Sequence, residues 1–465
     1  MTSISPILTP SELEKIAHEI LNMLTADTAT ISIVHHVTRG TRIAHNHVQR
    51  LSNGETLKLS LATSIGSKWT VYLDLNQLDS DTLRSAVQYV ERIAREAPGD
   101  PAVSTQVMPI PPRRYLPNSC WCDATAAALD ADRESMVTAV VQPMLAAQLI
   151  GAAFIGASAK STLNATKQGL LATGETTDTE LVVTGWNHAS GGGSGWAGQA
   201  TRNWDRLDAA AVSAEAVRIT KLAANPVALE PGRRTAILGR PAMAQIIRAM
   251  GSDFDAYATH MGMTPLSDHK LDDRVLDERL TVSSDPNDPE GGYLPFDDWG
   301  YPRIPMTWIE RGRLTNLAYS AMYAALVGVR PANTAPESLR LSAAPSPASN
   351  APLMTVEEMI ANCKEGIYVN RVADLEVVHA KSGVMTGVTS GGCFLVRNGK
   401  IEKPVKDFRF LDSPYFFLNR LVAVGTSERT AFGYAPWHGD WPIAPTIVPP
   451  VMVTDFNFSA LAESV

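Results

Sequence analysis

The stretch that most constrains the fold covers residues 355–407, and it opens with a short amphipathic helix. Its apolar residues recur with helical spacing, at Val356, Met359, Ile360 and Cys363. This spacing gives the helix one apolar face. Thr355 and Glu358 form a capping-box pattern at its start. Gly366 predicts the end of the helix, because glycine is the usual left-handed residue just beyond a helix.

A strand, a glycine-rich break and a hairpin follow this helix. Residues 367–369 are Ile-Tyr-Val, which is typical of a strand. Asn398-Gly399 lies between two apolar runs and predicts a tight hairpin, because a type I′ turn requires positive φ at both central residues. The stretch contains no cluster of acids, bases or metal ligands. It therefore predicts a scaffold and not a catalytic centre.

The composition is that of an ordinary globular protein, with 45% hydrophobic and 19% charged residues in a chain of 465. The net charge of −8 and the lack of a basic run argue against nucleic-acid binding. Four cysteines in such a chain do not form a disulfide framework, which indicates a reducing compartment. The N-terminus lacks the pattern of a signal peptide, and no apolar run is long enough for a membrane span. We expect a cytoplasmic protein.

The N-terminal half is predicted as an α+β domain over residues 1–225. Its first module, residues 1–108, combines helices with short alternating strands, and a proline-rich linker covers residues 109–117. The second module, residues 118–225, combines helices with short strands that Gly- and Thr-rich turns separate. The glycine-rich loop at residues 187–195 lacks the lysine of a P-loop, so we interpret it as a hairpin loop rather than an anion site.

The other half, residues 226–465, is predicted as a second domain rich in strands. Two hairpins with similar patterns, at residues 306–315 and 394–404, each join two apolar strands through a turn that contains glycine. Residues 233–238 predict a strand. Residues 241–250 predict a helix with proline at its first position.

Four segments of this half resemble the TldD/PmbA family, also called the modulator-of-DNA-gyrase or TldD–TldE family. They are PRIPMTWIERGRLTNLAYS, EEMIANCKEGIYVNRV, TSGGCFLVRNGKIEKPVKDFRF and LNRLVAVGTS. They follow the family's order and spacing over about the last half of the chain. The resemblance implies an N-terminal α+β domain and a mostly β, barrel-like C-terminal domain. It also implies a two-chain assembly that encloses a peptide channel.

The family has two kinds of subunit. TldD-type subunits are zinc peptidases with HExxxH on the helix after the first strand of the C-terminal domain and a late cysteine. In such a site the two histidines and the cysteine hold zinc, and the glutamate is the general base. TldE/PmbA-type subunits lack these ligands and pair with TldD. Here the helix at that place is PAMAQIIRAM, without His or Glu, and the late window FGYAPWHGDWPIAPTIVPP has no Cys.

The resemblance therefore implies a metal-free, TldE-like subunit with no metal site or cofactor of its own. Zn²⁺ is expected in a TldD-type partner, and the pair would hydrolyse an extended peptide in protein quality control or in the maturation of a peptide natural product. Neither a membrane nor a nucleic acid is an expected partner. Gly391, Gly392 and Cys393 are assigned to the wall of the peptide channel.

Two other functions stay open. The first is a stand-alone enzyme that uses the scaffold for chemistry without zinc, with His379, His438 and Asp440 as catalytic candidates. Each histidine is equally well interpreted as a surface or hydrogen-bonded residue. The second is a homodimeric peptide-binding protein.

Overall fold

The computed structural model describes residues 7–66, 68, 70–99, 115–117, 120–129, 133–187, 192–329, 336–344, 352–433 and 444–462. His438, Asp440 and residues 109–114 of the predicted linker lie outside these described residues. Within them, no helix has the length and hydropathy that a membrane crossing requires.

The N-terminal domain is one six-stranded antiparallel sheet with helices packed on one face. Its strands are β1 (Thr28–Ala44), β2 (His47–Ser64), β3 (Val71–Leu75), β4 (Leu149–Thr166), β5 (Leu171–Asn187) and β6 (Ser194–Thr201). Its helices are α1 (Pro10–Met23), α2 (Ser80–Glu96), α3 (Asp123–Ala127), α4 (Glu134–Ala146) and α5 (Ala209–Leu222). The strand order is β3-β2-β1-β4-β5-β6.

The helices cover the apolar face of this sheet in two clusters. Near α1 and α2, Ile31 and Ile33 of β1 pack with Leu13 of α1. Near α4 and α5, Leu181 of β5 packs with Val212 of α5. Alternate residues of a strand point to opposite faces, so every second residue of each long strand lies on this apolar face.

The strands are longer than the sequence predicted, and the short strands expected within them were wrong. β1 continues through Gly40, and its pairing with β4 extends from Thr30 opposite Thr166 to Ile43 opposite Ala153. Residues 1–108 and 118–225, predicted as separate modules, are thus halves of one sheet.

The reason for this difference lies on the second face of the sheet. It is polar but buried: Asn164 and Asp178 are 3% and 7% exposed. Asn164 donates hydrogen bonds to the carbonyls of Asp297 and Asp298 in the C-terminal half. Polar residues that indicated turns therefore belong to strands that another part of the chain covers.

The C-terminal half contains the remaining strands and helices. The strands are β7 (Gly232–Leu238), β8 (Leu280–Ser284), β9 (Met306–Glu310), β10 (Arg313–Leu314), β11 (Leu339–Ala343), β12 (Glu365–His379), β13 (Val384–Arg397), β14 (Lys400–Pro404), β15 (Phe408–Asp412), β16 (Leu421–Val424), β17 (Glu428–Arg429), β18 (Thr446–Val448) and β19 (Val451–Leu461). The helices are α6 (Arg240–Ala249), α7 (Ala256–His260), α8 (Ala321–Val327), α9 (Val356–Asn362) and α10 (Pro414–Phe417).

Five of these strands close into a barrel, which confirms the predicted α+β fold with a barrel-like C-terminal domain. The strands pair in the order β12-β7-β19-β15-β13, and β13 pairs again with β12. A second sheet has the order β10-β9-β8-β11-β18-β17. The core between them is aromatic and close-packed, with Trp308, Phe408, Phe410, Phe456 and Phe458 all 1% exposed or less.

Both predicted hairpin turns are confirmed. Asn398 and Gly399 have φ of 49° and 78°, and Arg311 and Gly312 have φ of 46° and 77°. Positive φ at both central residues is the property that defines the type I′ turn. The conformation at Asn398-Gly399 was therefore readable from the residue types, whereas arginine at position 311 does not by itself favour positive φ.

The predicted end of the 355–407 helix was wrong. Helix α9 begins with the expected capping box at Thr355 but ends at Asn362, and Gly366 lies inside β12. A Cβ at position 366 would lie 2.8 Å from the Thr235 carbonyl oxygen of β7. Glycine is therefore present because two barrel strands approach closely, and not because a helix ends there.

A carboxyl group in the turn that follows α6 makes stability depend on pH. The Tyr415 hydroxyl donates a hydrogen bond of 3.0 Å to Asp253, but burial raises the pKa of Asp253 from 3.8 to about 7. The folded state thus holds this proton more tightly than the unfolded chain. The stabilisation that the protonated Asp253 carboxyl group contributes is fully present below pH 3.8 and is lost as pH rises through about 7.

We expect Asp253→Asn to be more stable than the wild type at pH 8, by about 2–4 kcal/mol, and close to it at pH 4. Urea unfolding of both proteins at the two pH values measures this. Asp268, which is 77% exposed and 3.3 Å from Lys381, is the exposed control, and Asp268→Asn should change the free energy of unfolding by at most about 1 kcal/mol at either pH. An Asp253→Asn variant equally or less stable at pH 8 would contradict the assignment.

Candidate functional site

A cleft of about 630 Å³ separates the N-terminal domain from the barrel. On one side it is lined by Trp196 of β6 and Ile219 of α5, and on the other by α9 and the ends of β12 and β13. Its floor contains Tyr368 and Phe394, whose rings stack at 6.0 Å with an interplanar angle of 16°. A volume of this size between two domains, with an apolar floor, is typical of a ligand site.

Ion pairs surround the mouth of the cleft. Arg218 and Glu215, both on α5, approach to 2.6 Å, and Arg240 at the start of α6 lies 3.2 Å from Glu428 of β17. The hydrogen bonds that the Arg218 guanidinium donates to the Glu215 carboxylate raise the pKa of Arg218 above its usual value. These two pairs are balanced, and the other charged residues of the lining are of both signs, so the cleft favours neither a strongly anionic nor a strongly cationic ligand.

Two sheet edges lie in the lining of this cleft. β6 is the edge strand of the N-terminal sheet, and β17 is the edge strand of the second C-terminal sheet. Residues of both strands face the cleft, among them Gly198 and Glu428. Edge strands offer backbone N–H and C=O groups to an added strand, although the Trp196 carbonyl of β6 already accepts a hydrogen bond from Asn370. The geometry suits an extended polypeptide with apolar side chains.

Asn370 fixes the two domains together beneath this cleft. Its amide donates hydrogen bonds of 2.8 Å to the carbonyls of Trp196 and Gly391, and its oxygen accepts one of 3.3 Å from the Tyr368 hydroxyl. Asn370 is only 6% exposed. Sequence reasoning missed this residue, because nothing along the chain shows that residue 370 meets residue 196.

Gly391, Gly392 and Cys393, predicted to line a peptide channel, lie one layer below the cleft. The two glycines form a bulge opposite Asn370, with φ of 62° and 122°. Cys393 is 3% exposed, and burial raises the pKa of its thiol well above the usual value. The three residues are not among those that line the cleft. Their role in a channel remains a prediction.

Arg429 joins the far wall of the cleft to the N-terminal sheet. Its side chain is 7% exposed and lies 2.5 Å from Asp178 of β5 and 3.5 Å from Glu290. Burial is the largest single effect and lowers the pKa of Arg429, but the carboxylates of Asp178, Glu290 and Glu180 together raise it overall. Arg202 makes a second buried contact, with its guanidinium donating to the carbonyls of Pro289 and Gly292. Sequence reasoning missed both arginines.

Helix α6 follows the first barrel strand, as the sequence predicted, and its residues can be tested as zinc ligands. Zinc sites use Cys, His and carboxylate side chains, and α6 has none from Arg240 to Ala249. Its inward residues are apolar apart from Gln245, whose amide lies 3.5 Å from the Phe432 carbonyl. Residues of this kind do not fit a zinc ion. Elsewhere in the described ranges, no group of three potential ligands could hold a metal.

Among the catalytic candidates, the structure describes only His379, and it places this residue away from the cleft. His379 is exposed at the end of β12, and its Nδ1 lies 2.7 Å from the Ser382 hydroxyl. Tyr368 in the cleft is near the opposite end of β12, roughly 35 Å away along the strand at the usual rise per residue. The structure therefore does not bring His379 to the cleft. The other two candidates, His438 and Asp440, lie outside the described residues.

Comparison with known proteins identifies the barrel domain. Residues 231–460 match the model of the PmbA/TldA metallopeptidase C-terminal domain. The C-terminal half of the chain belongs to the PmbA/TldD family. A curated relative, a protein from Archaeoglobus fulgidus named "Metalloprotease", is 26% identical over 163 residues, which cover 34% of this chain and 37% of that protein. The match thus spans little more than a third of the relative's length.

Solved structures extend the likeness to the whole chain. TldE from Thermococcus kodakarensis superimposes with a TM-score of 0.78 and 16% identity, covering 96% of this chain and 99% of that one. A protein from Thermotoga maritima gives a TM-score of 0.77 and 14% identity, with coverage of 96% and 99%. At such low identity the comparison establishes the fold. The N-terminal sheet and the barrel are therefore one arrangement shared with these PmbA/TldD structures.

Proposed function

We propose that this chain is the metal-free, TldE-type subunit of a two-chain peptidase whose zinc site lies in a TldD-type partner. The observation that carries the proposal is helix α6. By the family resemblance it corresponds to the helix that carries HExxxH in TldD-type subunits, yet from Arg240 to Ala249 it has no side chain that holds zinc well. The name of the Archaeoglobus fulgidus relative supports the peptidase activity, and the likeness to TldE supports the choice of subunit.

The cleft supports a role in holding the peptide. Its apolar floor at Tyr368 and Phe394 accepts side chains, while the edges of β6 and β17 offer main-chain hydrogen bonds. Main-chain pairing gives affinity without demanding one sequence. This subunit would thus position an extended peptide, and the partner would cleave it.

Co-expression with a TldD-type subunit tests the proposal. We expect a 1:1 complex that hydrolyses unfolded peptides and holds about one zinc ion per pair, and an isolated chain without zinc or activity. Ile360→Trp, which adds bulk at the cleft, should slow hydrolysis without preventing pairing. Full peptidase activity from the isolated chain, or no complex at all, would overturn the proposal. The control is a partner with its HExxxH glutamate replaced, which should pair but remain inactive.

A further inference from the structure

Helix α8 has a composition that is unusual for an exposed helix. Its sequence, AMYAALV, contains no charged residue. Ser320 caps its start, and Gly328 ends it with φ of 73°. Only Ala321 and Ala324 are buried, whereas Leu326 is 79% exposed. A helix that is apolar on all sides is ordinarily buried, so this one lacks a cover within the described part of the chain.

Helix α7 and the residues after it extend this apolar surface. Tyr257 of α7 packs edge-on against Tyr323 of α8 at 5.4 Å, and the Tyr323 hydroxyl lies 2.7 Å from His260 Nδ1. Met261 and Met263, directly after α7, are 55% and 57% exposed. Tyr257 and His260 thus join α7 to α8 through Tyr323, and we treat the exposed apolar residues of the two helices as one surface. We name it the α7–α8 surface, and it contains Tyr257, Met261, Met263, Met322, Leu326 and Val327.

The size and composition of the α7–α8 surface match one side of a protein interface. Its six residues are between 41% and 79% exposed. These fractions amount to on the order of 600 Å², near the ~800 Å² that each partner buries in a standard interface. Tyrosine and methionine are enriched in interface cores. Neither α7 nor α8 carries the lysine or arginine that a membrane-surface helix uses.

We propose that the α7–α8 surface is where this chain docks its TldD-type partner, an inference that rests on the proposed function. A homologous partner presents the corresponding surface through a pseudo-two-fold axis. Two apolar surfaces are complementary without any matching of charges. The area is at the lower end of what each partner of a specific pair buries, and a small ligand would leave most of it in water.

The test is co-purification of this chain with a tagged TldD-type partner. The variant is Met322→Glu with Leu326→Glu, both at exposed sites that can accept charge without disturbing the core. The matched control is Val48→Glu with Leu51→Glu, which changes two exposed apolar residues of β2. Circular dichroism and the Tm should show that both variants fold. We expect the α8 variant to bind at least tenfold more weakly and the control to bind like the wild type.

The possible outcomes separate the two proposals. If the wild type pairs and the α8 variant pairs equally well, the docking surface is wrong and the proposed function stands. If the wild type does not pair, the proposed function fails and this inference fails with it. If the isolated wild type is a dimer and the isolated α8 variant is a monomer, the α7–α8 surface joins two copies of this chain. That result would overturn the assignment to a TldD-type partner.

Discussion

Arg429→Ala is expected to lower the free energy of unfolding by about 3–5 kcal/mol, because it leaves a buried carboxylate without its partner. Asp178 lies 2.5 Å from the guanidinium, and its side chain is 10% exposed. The Arg429 guanidinium also donates to the Glu290 carbonyl at 3.0 Å. The contact joins β17 to β5, so the loss should reduce the cooperativity between the two domains. Urea unfolding followed by tryptophan fluorescence measures it.

Arg313→Ala is the matched control for this prediction. Arg313 faces Asp272 at 4.0 Å, but the two side chains are 55% and 86% exposed. An exposed pair contributes at most about 1 kcal/mol. If both variants lose the same free energy of unfolding, burial of the Arg429–Asp178 pair is energetically unimportant. The double variant Asp178→Ala with Arg429→Ala should be less destabilised than the sum of the single changes.

Gly391→Ala is expected to destabilise the protein by about 3–5 kcal/mol, because both backbone strain and a steric clash oppose it. The φ of Gly391 is 62°, and a Cβ there would lie 2.5 Å from Cβ of Trp196. The clash lies between the bulge of β13 and the edge strand of the N-terminal sheet. We therefore expect weakened domain docking as well as a lower Tm, measured by thermal unfolding and limited proteolysis.

Gly66→Ala separates the two causes. Gly66 has a similar φ of 59°, but a Cβ there would meet no atom within 4 Å. Only the backbone strain remains at this position, so Gly66→Ala should lower the free energy of unfolding by about 1–2 kcal/mol. If Gly391→Ala costs no more than Gly66→Ala, Trp196 moves aside and the close approach does not hold the domains together.

Local features of the fold were predictable because neighbouring residues determine them. The capping box at Thr355 and Glu358 forms as expected, since both side chains lie within one helical turn. The turn at Asn398-Gly399 likewise depends on which residues tolerate positive φ. By contrast, the role of Gly366 was misinterpreted, because the atom that excludes a side chain there belongs to Thr235 in another strand.

The candidate site likewise combines a feature that the sequence predicts with features that only the tertiary structure shows. The absence of zinc ligands between Arg240 and Ala249 is a property of the sequence, and the structure adds that this segment is the helix after the first barrel strand. The cleft itself was not predictable. Asn370 meets Trp196 across 174 residues, and Arg429 meets Asp178 across 251. No periodicity along the chain encodes such contacts.

The sequence by itself determined the α+β class, the hairpin turns, the family resemblance and a helix α6 without metal ligands. Each of these depends on residue types and on neighbours a few positions apart. The tertiary structure alone decided that β1 and β4 unite two predicted modules, that residues 355–407 form a barrel wall, and that a cleft opens between the domains. Those features depend on which distant surfaces bury one another, and that is settled only when the whole chain packs.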